Sequence, residues 1–324
     1  MKTKGLALIF GGITFSQLFA LMIAYFAKPI TVLSINPNGT VTAIVNSTAE
    51  NLSSSNISSH MVVQAISPFG VGALGSLVVS ASLVLGSLIM AFILVLLLRK
   101  GYINYVISAI LGTASFLLNY YVLSFFFGYV SLISIGVPFS LAVIIAAYGL
   151  YPRRFRGWPQ LLVNFLVLIN GAELGFFLAA SFEKLTVVFL AFLFSAYDFY
   201  SVFRGPISRM LGRPGPRGQD MVEVTEKPER GFLGPMLVNF GEVEMGLGDI
   251  TFYSMMPTAI FVEGMGTGAV ALEILLIDVG VAATLVLLRK IRPLPGLPIP
   301  LLLGLVAYLL RGRPSQKLNG VTHE

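Results

Sequence analysis

Two aspartates stand within apolar stretches of the chain, where a charged side chain is costly. Asp249 follows Gly248 at the start of one apolar run, and Asp198 lies near the end of the preceding run. Acidic residues inside membrane segments usually face a cavity or the interior of a helix bundle, where they carry function. A long polar segment, 204–245, joins the two runs. We therefore expect the two carboxylates to meet inside a bundle.

Two carboxylates that meet in this way have a definite chemistry. Neighbouring acids cannot both ionise cheaply, so the pair retains one proton. The ionised member can take a proton from water as a general base, while the protonated member polarises a carbonyl group and later protonates the leaving amine. Such a hydrolysis needs neither a metal ion nor a covalent nucleophile. We therefore expect no metal and no cofactor.

The spacing along the chain places the two acids at a similar depth. Asp198 lies six residues before Arg204, and Asp249 lies five residues after Glu244. With a helical rise of about 1.5 Å per residue, these spacings correspond to roughly 9 Å and roughly 7–8 Å from the polar boundary. If the two helices pack together, the carboxylates can share one water molecule.

The composition indicates a polytopic membrane protein. Of the 324 residues, 56% are hydrophobic and only 11% are charged, whereas soluble chains carry roughly 25% charged residues. Repeated apolar runs near 20 residues predict helices rather than the alternating strands of a barrel. The net charge of +6 is explained by basic residues that flank membrane segments, and no nucleic-acid partner is expected.

The rarer residue types exclude several kinds of site. The chain has no cysteine, which excludes disulfides, thiolate catalysis and cysteine metal sites. The two histidines, His60 and His323, lie outside every apolar run. Zinc proteases of the His-Glu-x-x-His type and serine–histidine sites within the membrane are therefore excluded.

The apolar runs predict an all-α polytopic membrane protein with nine transmembrane helices. An N-terminal part of six helices (1–203) is followed by a cytoplasmic loop (204–245), a part of three helices (246–310) and an outer tail (311–324). The first helix is predicted at about 5–27, and the second ends at 98 after an apolar run that begins near 61. The third to eighth helices cover about 102–127, 130–150, 160–180, 185–203, 246–263 and 267–288. The ninth begins within 293–300 and ends at 310.

Basic residues give the predicted orientation. With the N-terminus in the cytoplasm, 16 of the 21 Lys and Arg residues fall on the inner side, as the positive-inside rule requires. The C-terminus is then extracytoplasmic, and the polar loop 31–60 lies outside the cell membrane. That loop carries four glycosylation acceptor triplets, although its composition also fits a plain solvated linker. The triplets begin at Asn38, Asn46, Asn51 and Asn56.

Residues around the two aspartates could support the chemistry. Gly246 and Gly248 would let an extended substrate backbone approach Asp249 without a Cβ in the way, although small residues also simply pack membrane helices. Tyr197 could form a hydrogen bond beside the other aspartate or serve as an interfacial anchor. The prolines within 293–300 cannot form regular helical hydrogen bonds, so backbone groups there must face protein or a water-filled cavity.

Three short motifs resemble those of the presenilin/signal peptide peptidase family of intramembrane aspartyl proteases. The family's motifs are Tyr-Asp, Gly-x-Gly-Asp and Pro-Ala-Leu, and their counterparts here lie in the same order on predicted helices six, seven and nine. The third reads Pro-Gly-Leu, with glycine in place of alanine. The short chain is most similar to the archaeal, presenilin-like members. The motif residues are Tyr197 and Asp198; Gly246, Leu247, Gly248 and Asp249; and Pro295, Gly296 and Leu297.

The resemblance implies an intramembrane aspartyl endopeptidase that hydrolyses peptide bonds within transmembrane segments by a two-aspartate, water-activating mechanism. It implies that Asp198 and Asp249 are the catalytic pair and that the other motif residues bind substrate or support the active site. The implied partners are transmembrane peptides and the lipid bilayer, whereas the sequence carries no signal for accessory subunits.

Other features leave alternatives open. Glu173, Glu273 and Asp278 also lie in apolar runs, and with a proline-interrupted helix they would suit a secondary transporter or channel. They could equally be structural acids paired with groups such as Asn170. The segment 231–240 could offer a strand edge to an unwound substrate, or it could be a plain interfacial segment.

Overall fold

The computed structural model describes residues 3–27, 31–35, 41–45, 73–98, 103–127, 131–155, 157–203, 236–240, 243–288 and 294–311. Within these ranges the chain forms nine α-helices, four short β-strands and one 3-10 turn. The helices are α1 Thr3–Ala27, α2 Ala73–Leu98, α3 Ile103–Phe127, α4 Leu132–Leu150, α5 Trp158–Ser181, α6 Lys184–Phe203, α7 Leu247–Val262, α8 Thr267–Leu288 and α9 Pro298–Arg311.

The helices have the length and composition of membrane-spanning segments. Six of them, α1, α3, α4, α5, α6 and α8, are long and apolar enough to cross a membrane, while α7, α9 and the stretch Leu74–Met90 of α2 are shorter apolar helices. The chain is therefore a multi-pass membrane protein, as its composition predicted. The apolar run 61–72, expected to lead into the second helix, lies outside the described residues.

The loop that follows α1 contains a hairpin that the sequence did not lead us to expect. Strands β1 (Thr31–Ile35) and β2 (Val41–Val45) pair antiparallel within the segment that was predicted to be a polar loop. Both strands are rich in β-branched residues, and an Asn-Gly pair lies between them in the sequence, which is the strongest short-range signal for a hairpin. The four glycosylation triplets begin at residues outside the described ranges.

A second hairpin leads directly into α7. Strands β3 (Leu237–Asn239) and β4 (Glu244–Gly246) pair antiparallel, with Val238 opposite Met245. Gly246 ends β4 and is also the residue that caps the N-terminus of α7. Part of the segment 231–240, for which a strand edge was one of two interpretations, is therefore a strand. The hairpin fixes where α7 begins.

Helix α7 lies at the centre of the bundle. Every residue from Ile250 to Ile260 is buried, which is typical of a helix that is apolar on all sides. It packs mainly against α5 and α1, with further contacts to α8 and α9. The helix that begins with the predicted Gly-Leu-Gly-Asp motif is thus fixed by neighbours on several sides.

Two glycines let α5 approach α7 closely. A Cβ at Gly171 would lie 2.7 Å from Ile250 Cγ2, and a Cβ at Gly175 would lie 2.7 Å from the Thr251 carbonyl oxygen. Small residues four apart on one helix face are a common means of close helix contact in membranes. These two glycines therefore set the distance between α5 and α7.

A polar cluster joins α6, α7 and α9 at the end of the bundle opposite the start of α7. The Tyr308 hydroxyl donates to the Glu263 carboxylate, and Lys184 Nζ lies 3.7 Å from Glu263 Oε2. Burial raises the pKa of Glu263, although Tyr308 and Lys184 act in the opposite direction. This cluster fixes the far ends of three helices whose other ends carry the predicted motifs.

The glycine contact gives a stability prediction. Gly175→Ala places a methyl group against the backbone of α7, and we expect this overpacking to lower the free energy of unfolding by between about 1 and 3 kcal/mol. The matched control is Gly136→Ala in α4, because a Cβ there meets no heavy atom within 4 Å and alanine is the better helix former. Thermal unfolding in detergent distinguishes the two variants, and equal midpoints would contradict the packing account.

Candidate functional site

The chain before α9 is held out of helical conformation by prolines. Residues 294–297 precede the helix, which begins at Pro298, in the first-turn position that proline tolerates. Prolines lack an N–H donor and disfavour helix in the residue before them. The segment 295–297, which carries the predicted Pro-Gly-Leu motif, can therefore direct its own peptide groups toward neighbouring helices.

This segment contacts Asp198 through one of its peptide groups. The Leu297 N–H donates to Asp198 Oδ2 over 3.0 Å. Asp198 lies in the last two turns of α6 and is half-buried, while Leu297 is buried. A backbone N–H directed at a carboxylate is a charge-assisted hydrogen bond, which is stronger than a bond between neutral groups.

Asp249 occupies the third position of α7. Its Oδ2 accepts a hydrogen bond from the Gly246 N–H over 3.3 Å, so the carboxylate caps the start of its own helix. Negative charge is stabilised at a helix N-terminus by the unpaired N–H groups and the helix dipole. Like Asp198, Asp249 is half-buried, so it remains open to a small molecule such as water.

Gly296 brings the same segment against Asp249. A Cβ at Gly296 would lie 2.9 Å from Asp249 Oδ2, closer than real Cβ contacts allow. Glycine at the position where the Pro-Ala-Leu motif has alanine therefore leaves space for the Asp249 carboxylate. Consecutive residues, Gly296 and Leu297, thus contact the two aspartates.

The two predicted aspartates are brought together mainly through α9. Sequence spacing suggested direct packing of the two helices that carry them, but α6 packs more extensively on α9 than on α7. The segment 295–297 supplies the contact to both acids. The structure therefore unites Asp198, Asp249, Gly246, Gly296 and Leu297.

The remaining predicted motif residues lie around this centre in different environments. The Tyr197 ring packs edge-on against Phe194 at 6.4 Å between centroids, and in the described part of the chain no hydrogen bond joins Tyr197 to either aspartate. Leu247 is half-buried, Gly248 is exposed beside Asp249, and Pro295 is buried.

Tyr253 is a site residue that the sequence interpretation missed. It is 2% exposed, and its hydroxyl donates to the Gly296 carbonyl oxygen over 2.9 Å. It lies four residues after Asp249, so both side chains project from neighbouring positions on one face of α7. A signal was available, because a tyrosine within a wholly buried helix must find a partner for its hydroxyl group.

The other acidic residues are located apart from the contacts of the aspartate pair. Glu173 is buried in α5, and Glu273 is fully buried in α8 against Gly304 of α9. Neither Glu273 oxygen has a hydrogen-bond partner among the described residues, and Asp278 interacts with Thr14 of α1. Among the described residues, no group of three or more His, Asp or Glu side chains could hold a metal ion.

The proposed pairing of these acids with Asn170 is not what the structure shows. Asn170 instead forms hydrogen bonds with Ser115 and Asn119 of α3. This network lies beside an apolar cavity of about 490 Å³ between α3, α4 and α5. Leu247 also lines that cavity, so the cavity reaches the residue between the two glycines of the motif.

Comparison with solved structures identifies the fold. A structure of a presenilin family intramembrane aspartate protease in space group P2 aligns with 93% of this chain and 96% of its own chain, with a TM-score of 0.52 and 20% identity. A structure of a presenilin family intramembrane aspartate protease in space group C222 aligns with 92% and 97%, with a TM-score of 0.50 and 17% identity. No protein-family model and no curated protein matches the sequence. The chain has the presenilin-type fold that its motifs predicted.

Proposed function

We propose that this protein is an intramembrane aspartyl endopeptidase and that Asp198 and Asp249 are its catalytic pair. The observation that carries the proposal is that two consecutive residues, Gly296 and Leu297, contact both carboxylates. A fold shared with intramembrane aspartate proteases supports this class of enzyme over a secondary transporter or channel. The proposed substrates are transmembrane peptides.

The proposed reaction uses one proton held by the pair. The ionised carboxylate removes a proton from water, and the resulting hydroxide adds to the peptide carbonyl carbon. The protonated carboxylate polarises that carbonyl oxygen and gives its proton to the amine as the C–N bond breaks. The products are a carboxylic acid and an amine, and the pair again holds one proton.

Backbone donors would keep the two acids oriented through this cycle. Leu297 donates to Asp198 and Gly246 donates to Asp249, so a backbone N–H holds each carboxylate. Gly248 is exposed immediately before Asp249. An extended peptide can therefore come close to this carboxylate without meeting a side chain at position 248.

The β3–β4 hairpin offers an edge on which a substrate could be held. The Phe240 N–H donates to the Val243 carbonyl, and antiparallel pairs alternate between hydrogen-bonded and non-hydrogen-bonded positions. The backbone groups of Asn239 and Glu244 therefore point away from the hairpin, on opposite edges. A substrate strand could extend the sheet on one of these edges by main-chain hydrogen bonds.

Asn164 distinguishes the two edges. Its side-chain nitrogen donates to the Asn239 carbonyl over 2.7 Å, and its side-chain oxygen accepts from the Asn239 N–H over 3.2 Å. The amide of Asn164 thus takes the place that another strand would have beside β3. We propose that the substrate pairs with β4, whose last residue leads to Asp249 within three positions.

The orientation belongs to the same proposal. The distribution of basic residues favours an N-terminus in the cytoplasm, and we propose nine helices crossing the cell membrane and a C-terminus outside. The aspartates would then cut near the cytoplasmic face, and the loop 31–60 would be external and open to glycosylation.

The catalytic assignment predicts the effect of removing either acid. Asp198→Asn and Asp249→Asn should each lower the rate of transmembrane-peptide cleavage by at least about a thousandfold, because an amide can neither accept nor return the proton. The measurement is cleavage of a labelled transmembrane peptide by purified protein in lipid.

Asp278→Asn is the matched control, since this third intramembrane aspartate contacts Thr14 rather than the pair. It should keep a rate close to that of the unchanged protein. Persistent cleavage in Asp198→Asn or Asp249→Asn would remove that residue from the mechanism. Loss of cleavage in Asp278→Asn alone would favour an assignment to a different acid.

The strand-edge proposal predicts a main-chain effect at Glu244. Glu244→Pro removes an N–H that points away from β3, a position at which an edge strand tolerates proline. We expect kcat/KM to fall about tenfold, the equivalent of one lost hydrogen bond. Glu244→Ala removes only the side chain and should leave kcat/KM nearly unchanged. Equal values for the two variants would exclude substrate pairing at this edge.

A further inference from the structure

One peptide group lies between Tyr253 and Asp198. Its carbonyl, that of Gly296, accepts the Tyr253 hydroxyl over 2.9 Å, and its N–H, that of Leu297, donates to Asp198 Oδ2 over 3.0 Å. The carbonyl and the N–H belong to the same rigid, planar unit. A side chain of α7 and a side chain of α6 are therefore joined through a single peptide of the segment before α9.

Planarity makes the two hydrogen bonds depend on each other. Because the C=O and N–H of a trans peptide point in opposite directions, holding the oxygen also fixes the direction of the N–H. A hydrogen bond to the carbonyl further polarises the amide and strengthens its N–H as a donor. The Tyr253 hydroxyl therefore acts on Asp198 without touching it.

The peptide needs this support because of the residues around it. Pro295 and Pro298 have no N–H with which to fasten the chain, and Gly296 has no side chain that could pack. The Leu297 carbonyl is already used by the Leu301 N–H, over 3.0 Å, in the first turn of α9. The Tyr253 hydroxyl is thus the side-chain donor that holds the Gly296 end of the peptide.

Helix α7 carries both Asp249 and Tyr253. Tyr253 follows Asp249 by four residues, about 6 Å along the helix axis, and both contact Gly296. The same helix therefore positions one aspartate directly and the other through a peptide group. Any displacement of the segment 295–297 would change the two carboxylates together.

We propose that Tyr253 is a positioning residue that orients the Gly296–Leu297 peptide and, through its N–H, the Asp198 carboxylate. The role rests on the proposed protease function. Removal of the hydroxyl leaves the Gly296 carbonyl without this donor and frees the peptide to rotate. The catalytic geometry then loosens while the surfaces that bind the substrate remain.

The test compares two buried tyrosines that lose the same atom. Tyr253→Phe should lower kcat about tenfold or more while KM changes less than about twofold, since misplacement of a reacting group affects the chemical step rather than binding. Tyr308→Phe removes a hydroxyl that donates to Glu263 at the opposite end of the bundle, and it should leave kcat nearly unchanged. Both variants are measured in lipid with a labelled transmembrane peptide.

An NMR measurement reports on the Gly296–Leu297 peptide group and does not require enzyme activity. Labelling with [1-¹³C]glycine and [¹⁵N]leucine selects the amides of the five Gly-Leu pairs in the chain, and Gly296→Ala identifies the Leu297 signal by its disappearance. The Leu297 amide resonance should move in Tyr253→Phe and stay in place in Tyr308→Phe.

The outcomes separate this role from the protease function itself. No cleavage by the unchanged protein would overturn the proposed function. An unmoved Leu297 amide, or an unchanged kcat in Tyr253→Phe, would overturn the positioning role while leaving the aspartate pair in place. Equal losses of kcat in the two tyrosine variants would mean a general packing effect and would also overturn it.

Discussion

A carboxylate within an apolar bundle needs hydrogen-bond donors, because burial of a polar group without a partner is costly. In helices the backbone N–H groups are already used, so donors are available only where a helix starts or is broken. The two aspartates meet this constraint at two such places. Asp249 takes the N–H at the start of α7, and Asp198 takes the Leu297 N–H in the segment before α9.

The rest of the bundle holds the start of α7 and the segment before α9 in position. The β3–β4 hairpin ends at the residue that caps α7, and Asn164 holds the hairpin to α5. The glycine face of α5 sets the depth at which α7 packs. At the other end, Tyr308, Glu263 and Lys184 join α9, α7 and α6. The helices that carry the two acids are thus held together at both ends of the bundle.

Much of this organisation was predictable from local sequence. Runs of apolar residues gave helices such as α5 and α6 close to their observed bounds, and the spacing of Asp198 and Asp249 from polar residues predicted that the two acids could meet. The presenilin-type fold followed from three motifs in order. Each of these signals is contained within a short stretch of chain, where composition and spacing act directly.

Contacts between distant residues were not predictable in the same way. Asp198 and Leu297 are 99 residues apart, and Tyr253 and Gly296 are 43 apart, so no local pattern records that they meet. The role of α9 in joining the aspartates depends on how three helices pack. The β1–β2 hairpin was missed although Asn38 and Gly39 gave a turn signal, because overall apolar composition favoured an all-helical interpretation.

The central claim is that Asp198 and Asp249 share one proton, and carbon-13 NMR of the aspartate carboxyl groups tests it most directly. The chain has four aspartates, so selective labelling gives four signals, which Asp→Asn variants assign. For a coupled pair, the Asp198 and Asp249 signals should both change over the same two pH steps, and Asp198→Asn should leave Asp249 with a single step. Independent single-step titrations, unaffected by removal of the other acid, would contradict the account.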